Sequence, residues 1–155
     1  MTIDDLKTLM DNFEPAALLP ELDTIMGKIE FIMRIAVVVG PILLLVMGLL
    51  YLIASPKEAN YYLGYRCYFG MGSVAAWRFS QRIAGIIWTL LGLVLTAVMI
   101  LISSGFRDME IMDLVWKAVR CLLWEAGLTA VSCLFINTVV AVSYNRNGEL
   151  RRRKN

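Results

Sequence analysis

Histidine is absent from the 155 residues and cysteine occurs only three times. Without an imidazole there is no Ser–His or Cys–His nucleophile pair, and three scattered thiols cannot make a zinc site. Cys67, Cys121 and Cys133 show no CxxC spacing, and the last two lie on one predicted helix, about 18 Å apart along its axis, too far for a disulfide. Gly64, Gly70 and Gly72 lack both the spacing and the following Lys-Ser/Thr of a phosphate loop. Charge is also scarce, at 18% against 59% hydrophobic residues, with a mean hydropathy of +0.66. Together these absences argue against a soluble enzyme. No catalytic, cofactor-binding or metal-ligating residue is assigned, and no cofactor is expected.

The apolar residues fall in three blocks free of charge: Ile35 to Pro56 with 22 residues, Ile83 to Phe106 with 24 and Ala126 to Tyr144 with 19. Each is long enough to cross about 30 Å of hydrocarbon as a helix at 1.5 Å per residue. None alternates as a barrel strand would, and lipid offers the backbone no other way to satisfy its hydrogen bonds. The expected fold is therefore an all-α integral membrane protein with three transmembrane helices. The first block is too long for a signal-peptide core and is preceded by 34 residues of net negative charge, so it is expected to be retained. Pro41 beside Gly40 predicts a tolerated kink within it.

Positive charge is rare ahead of the first block. Residues 1–30 hold Lys7 and Lys28 against seven acids, a net of −5. The first connection holds Lys57, Arg66, Arg78 and Arg82 against Glu58, and the tail holds Arg146, Arg151, Arg152, Arg153 and Lys154 against Glu149. The bias of basic residues toward the cytoplasm then puts the N-terminus outside and the C-terminus inside a bacterial cytoplasmic membrane. Leu6, Leu9, Met10 and Phe13 recur at helical spacing behind Thr2, predicting a short amphipathic helix that Pro15 and Pro20 interrupt. Three regions result: an acidic amphipathic segment over 1–30, a three-span domain over 31–144 and a basic tail over 145–155.

Small residues mark a packing face. Gly85, Thr89, Gly92 and Thr96 line one side of the second span, and Ala126, Ala130, Cys133, Asn137 and Ala141 repeat nearly that spacing in the third. Close backbone approach and an interhelical hydrogen bond from Asn137 predict that these two faces meet. Arg34 and Glu125 border the first and third blocks at similar depth, so they either form an ion pair or reach the headgroups separately.

The first connection interleaves Tyr61, Tyr62, Tyr65, Tyr68, Phe69 and Trp77 with Arg66, Arg78 and Arg82. Such interleaving can bind nucleic acid, but the net charge is only +3 and the run from Cys67 to Trp77 is uncharged. A membrane-interface loop is the better reading, and no nucleic-acid partner is expected.

Within this loop Asn60, Gly64, Tyr65, Arg66, Met71, Ser73, Trp77 and Gln81 stand at the spacings of a motif, approximately N-x3-GYRT-x2-SM-x-S-x3-W-x2-AQ, and Gly85 and a membrane span follow. The segment resembles the signature of the SdpI family, in its short single-domain form. Cys67, Gly70 and Ser80 depart from the pattern, standing where it has Thr, Ser and Ala. The resemblance implies a non-enzymatic immunity or signalling protein that protects against or senses a secreted peptide. The partners it implies are a peptide toxin outside and a regulator in the cytoplasm, besides the lipid bilayer. A lipid- or small-solute-handling, transporter-like protein is the alternative, and homo-oligomerisation is left open. The candidate ligand or partner surface is Asn60, Gly64, Tyr65, Arg66, Ser73, Trp77 and Gln81. Arg66 is its natural anion contact, because a guanidinium binds carboxylate or phosphate in a bidentate fork.

Overall fold

A computed structural model describes residues 15–59, 64–107 and 109–151, with side chains from Thr24 onward. Helix α1 spans Pro15–Ile53, α2 spans Val74–Ser104 and α3 spans Ile111–Ser143, with a single 3-10 turn at Gly70–Gly72 before α2. Three stretches, Thr24–Ile53, Val74–Ser104 and Ile111–Ser143, are long and apolar enough to cross a bilayer, in agreement with the three blocks. The amphipathic segment around Leu6 to Phe13 lies outside the described residues.

Helix α1 corrects the expected interruption at Pro15 and Pro20 and crosses the boundary drawn at residue 30. Pro15 is its first residue, where no intrahelical donor is needed, and Pro20 forfeits a single backbone bond. The helix also continues through Pro41, which is fully buried.

The seam on the small-residue face of α2 differs from the expectation. Gly85 and Gly92 pack on α1: a Cβ added at Gly92 would lie 2.5 Å from Leu45 N, and one at Gly85 would lie 2.8 Å from Leu52 and 3.1 Å from the Gly48 carbonyl. Gly48 returns the fit, since a Cβ there would lie 2.4 Å from Thr89 N. A glycine on each partner lets the backbones touch, so the groove of α2 takes the one neighbouring helix that carries a matching notch. Thr96 turns its hydroxyl to its own helix, donating to the Gly92 carbonyl at 2.6 Å.

Helix α3 joins this pair through two apolar clusters. Val37, Leu95, Met99, Phe106, Leu114, Ala118 and Cys121 fill the half away from the first connection. Tyr51, Tyr65, Cys67, Ala84, Ile136 and Val140 fill the half beside it. The outward surfaces remain apolar, with Leu43, Leu93, Leu101, Leu123 and Phe135 all exposed, as a lipid solvent requires. Beyond α3 the chain turns back: Tyr144 bridges Leu150, and Gly148, at φ +72°, lies against Gly72 and Ser73. Residues 145–151 of the basic tail thus form a folded turn docked on the first connection.

Candidate functional site

The end of α2 nearest the first connection begins with Ser73, whose extended backbone lets its hydroxyl oxygen accept from Ala76 N–H at 3.1 Å and cap the helix. The same hydroxyl donates to the Gly148 carbonyl at 2.7 Å, tying the tail turn to the cap. One turn on, Trp77 is fully buried and its indole N–H donates to the Pro56 carbonyl at 2.9 Å. Gly64 covers that ring. Its φ of +117° suits glycine, and a Cβ there would stand 2.6 Å from Trp77 Cζ2.

Gln81 then holds both polar backbone groups of Tyr65. The Tyr65 N–H donates to Gln81 Oε1 at 2.7 Å, and Gln81 Nε2 donates to the Tyr65 carbonyl at 2.8 Å. The side-chain amide behaves as a strand partner would, satisfying a buried loop residue that has no ladder of its own. From there the Tyr65 hydroxyl reaches α3, lying 2.9 Å from Asn137 Oδ1 and 3.1 Å from the Cys133 carbonyl as donor. Its ring meets Trp88 edge-on, centroids 5.4 Å apart, and Trp88 leans on Tyr51 and donates to Ser132 Oγ at 3.1 Å. Burial pushes the Tyr65 phenol and the Cys67 thiol upward in pKa, so both stay neutral at ordinary pH; for Cys67 the Gly70 backbone and the Ser80 hydroxyl act the other way.

These contacts place the motif residues on two sides of a division. Gly64, Tyr65, Ser73, Trp77 and Gln81 form one lock between the first connection, α2, α3 and the tail. Arg66 is exposed and carries no hydrogen bond or ion pair among the described residues. Asn60 lies outside the described residues. Three positions that depart from the motif lie together: a Cβ at Gly70 would meet Cys67 Sγ at 2.7 Å and Ser80 Oγ at 2.9 Å, so a larger residue at 70 does not fit beside these two. The Ser80 hydroxyl donates to the Trp77 carbonyl at 2.8 Å.

The profile of the SdpI/YfhL protein family matches residues 56–144, more than half of the chain. This chain belongs to the SdpI/YfhL family. No curated protein and no solved structure gave a match. The region matched by the SdpI/YfhL profile contains Gly64, Tyr65, Ser73, Trp77, Gln81 and all of α2 and α3, whereas α1 and the tail residue Gly148 lie outside it.

A second region was partly missed by the sequence reading. Arg34 pairs with Glu30, one turn away on the same helix, so the ion pair with Glu125 does not form. Glu125 sits near the middle of α3 instead of bordering its apolar block, because α3 begins at Ile111. Its side chain is 7% exposed, Oε1 has no hydrogen-bond partner, and Oε2 lies where a Cβ on Gly40 would be only 2.8 Å away. Glu125 lines a cavity of about 580 Å³ between α1 and α3, with Pro41, Leu44, Met47, Trp88 and Thr129 among its other walls. A second cavity of about 590 Å³ lies on the same seam farther from the connection, lined by Met26, Glu30, Phe106 and Glu110. Val37, Ala118 and Cys121 belong to the apolar cluster of the same half. Sequence alone pointed to neither cavity; Gly40 beside Pro41 was the only local signal.

Proposed function

We propose that this SdpI-family membrane protein is an immunity or sensing protein of the bacterial cytoplasmic membrane that meets a secreted peptide along the seam between α1 and α3. The observation that carries this reading is the contrast within one bundle. At the first connection the described motif side chains of Tyr65, Ser73, Trp77 and Gln81 are spent on holding the fold, while the α1–α3 seam retains two cavities of about 590 and 580 Å³, each roomy enough for several apolar side chains. The basic residues of the first connection and tail favour a cytoplasmic position for that end and an outer N-terminus, and on this reading the cavity beside Glu30 and Glu110 opens at the outer surface. Arg66 then presents a free guanidinium to a cytoplasmic regulator or an anionic headgroup.

Deleting the gene and exposing the cells to the small-peptide fraction of medium conditioned by their own kind tests the reading. Loss should sensitise the cells, and the wild-type chain should restore them. Indifference of the deletion strain, together with an altered lipid composition, would overturn immunity in favour of lipid handling.

A further inference from the structure

We propose that the groove between α1 and α3 is a binding site for an apolar molecule carrying one ammonium group, which seats against Glu125. A lone carboxyl on a membrane-spanning helix is costly unless a donor or a positive charge meets it. Here the protein provides neither to Oε1. None of the basic side chains nearby bonds to it: Arg34 pairs with Glu30 through a terminal guanidinium nitrogen and leaves its Nε buried and unpartnered, Lys117 lies over the Phe106 ring with its centroid 5.7 Å distant, and Arg120 is exposed. The carboxyl is kept close to α1 by Gly40, where any side chain would collide with Oε2.

The rest of the site selects the ligand's body. Leu44, Met47, Leu95, Leu122 and Ala126 are apolar, and Trp88 stands at the end nearest the connection. Gly40, Leu43, Ala126 and Ala130 are exposed along the groove, so it opens sideways toward lipid and not toward water. A hydrated metal ion has no route by that side, and a single carboxyl supplies too few oxygens for calcium or magnesium. A neutral alcohol would complete a hydrogen bond without balancing the charge. An ammonium on an apolar chain does both and can arrive from the bilayer. The inference stands whether or not the chain confers immunity. Because the groove opens toward lipid, the occupant is an aminolipid; a lysine of an apolar peptide is the alternative outcome that the test separates.

The test uses the full-length protein in phosphatidylcholine vesicles and a twelve-carbon primary amine bearing a diazirine, alongside the matching alcohol. On irradiation the amine should label the stretches around Leu43–Met47 and Leu122–Ala130 several-fold more than the alcohol does. Glu125→Gln should bring amine labelling down to the alcohol's level and leave alcohol labelling unchanged, which also reports that the groove is intact. Ala126→Phe, which fills the groove and spares the carboxyl, should reduce both. Competition by phosphatidylethanolamine assigns the site to lipid, and competition by a leucine-rich helical peptide with one lysine, but not with norleucine in its place, assigns it to peptide. Equal labelling by amine and alcohol in the wild-type protein, or undiminished amine labelling in Glu125→Gln, would overturn the proposal.

Discussion

Substituting alanine at Gly48 and Gly92 tests the central packing claim, because each glycine faces backbone and not a movable side chain. A Cβ at Gly92 would lie 2.5 Å from Leu45 N, and one at Gly48 would lie 2.4 Å from Thr89 N. Ordinary contact begins at 3.4 Å, so α1 and α2 must separate by roughly 0.9 Å for Gly92→Ala and 1.0 Å for Gly48→Ala. Overpacking of this kind costs about 1–3 kcal/mol in a soluble core, and alanine's helix propensity returns up to about 1 kcal/mol. Lipid refills the disturbed seam, so a net loss of about 1–2 kcal/mol is expected for each. The two sites are about one turn apart, and the second methyl meets helices already displaced by the first. The double variant should therefore lose about 1 kcal/mol less than the sum of the singles. Unfolding by dodecyl sulfate in mixed micelles, followed by circular dichroism, measures all three. Gly127→Ala, with nothing within 4 Å of the added Cβ, is the control and should lose nothing. If Gly92→Ala is no worse than Gly127→Ala, or the two losses add fully, the α1–α2 seam is wrongly assigned.

The lock predicts that Gln81→Leu, which strands the buried N–H and C=O of Tyr65, costs about 2–4 kcal/mol, whereas Tyr65→Phe costs about 1 kcal/mol; the same unfolding assay should rank them in that order. Arg66→Ala should leave unfolding unchanged within about 0.5 kcal/mol, while both it and Arg66→Lys weaken the cellular response, as loss of a bidentate fork requires. Because burial raises the Cys67 thiol pKa, the unfolded chain loses that proton first, so stability holds below about pH 9 and declines above it; Cys67→Ser should flatten the decline. For orientation, single cysteines near residues 12, 72 and 150 in a cysteine-free chain, treated in intact cells with an impermeant maleimide, should react only near 12, and reaction at 72 would reverse the topology.

The three spans were legible because lipid leaves a long uncharged run no alternative to a helix, and the motif spacing sufficed to find the family. The partner of each face was not. Gly85 and Gly92 announce that some backbone comes close, but only Gly48, inside a block read simply as hydrophobic, decides which one. Asn137 accepts its hydrogen bond not from another helix, as its place on the small-residue face suggests, but from the loop residue Tyr65, 72 positions away, a distance over which periodicity says nothing. Glu125 was placed at a border because the block was counted from the first uncharged residue. The helix carries Asp113, Lys117 and Arg120 for three further turns, which moves the carboxyl inward.

The distribution of bond types along α3 gives the bundle a direction of yielding. Beside the first connection α3 is held by directed hydrogen bonds, Tyr65 to Asn137 and Cys133 and Trp88 to Ser132. Farther away its attachment is mainly the apolar cluster of Val37, Leu114, Ala118 and Cys121, with Lys117 over the Phe106 ring beside it. In water such contacts would be the stronger restraint. In a bilayer the lipid tails offer nearly the same environment, so separating apolar faces costs little, while breaking a hydrogen bond still leaves a polar group without a partner. Helix α3 is thus held beside the connection by directed bonds and at its other end by apolar contacts and the six-residue link to α2. Both cavities lie along the α1–α3 seam, where separating apolar faces costs least in lipid, and the glycine-packed α1–α2 pair supplies the opposite wall.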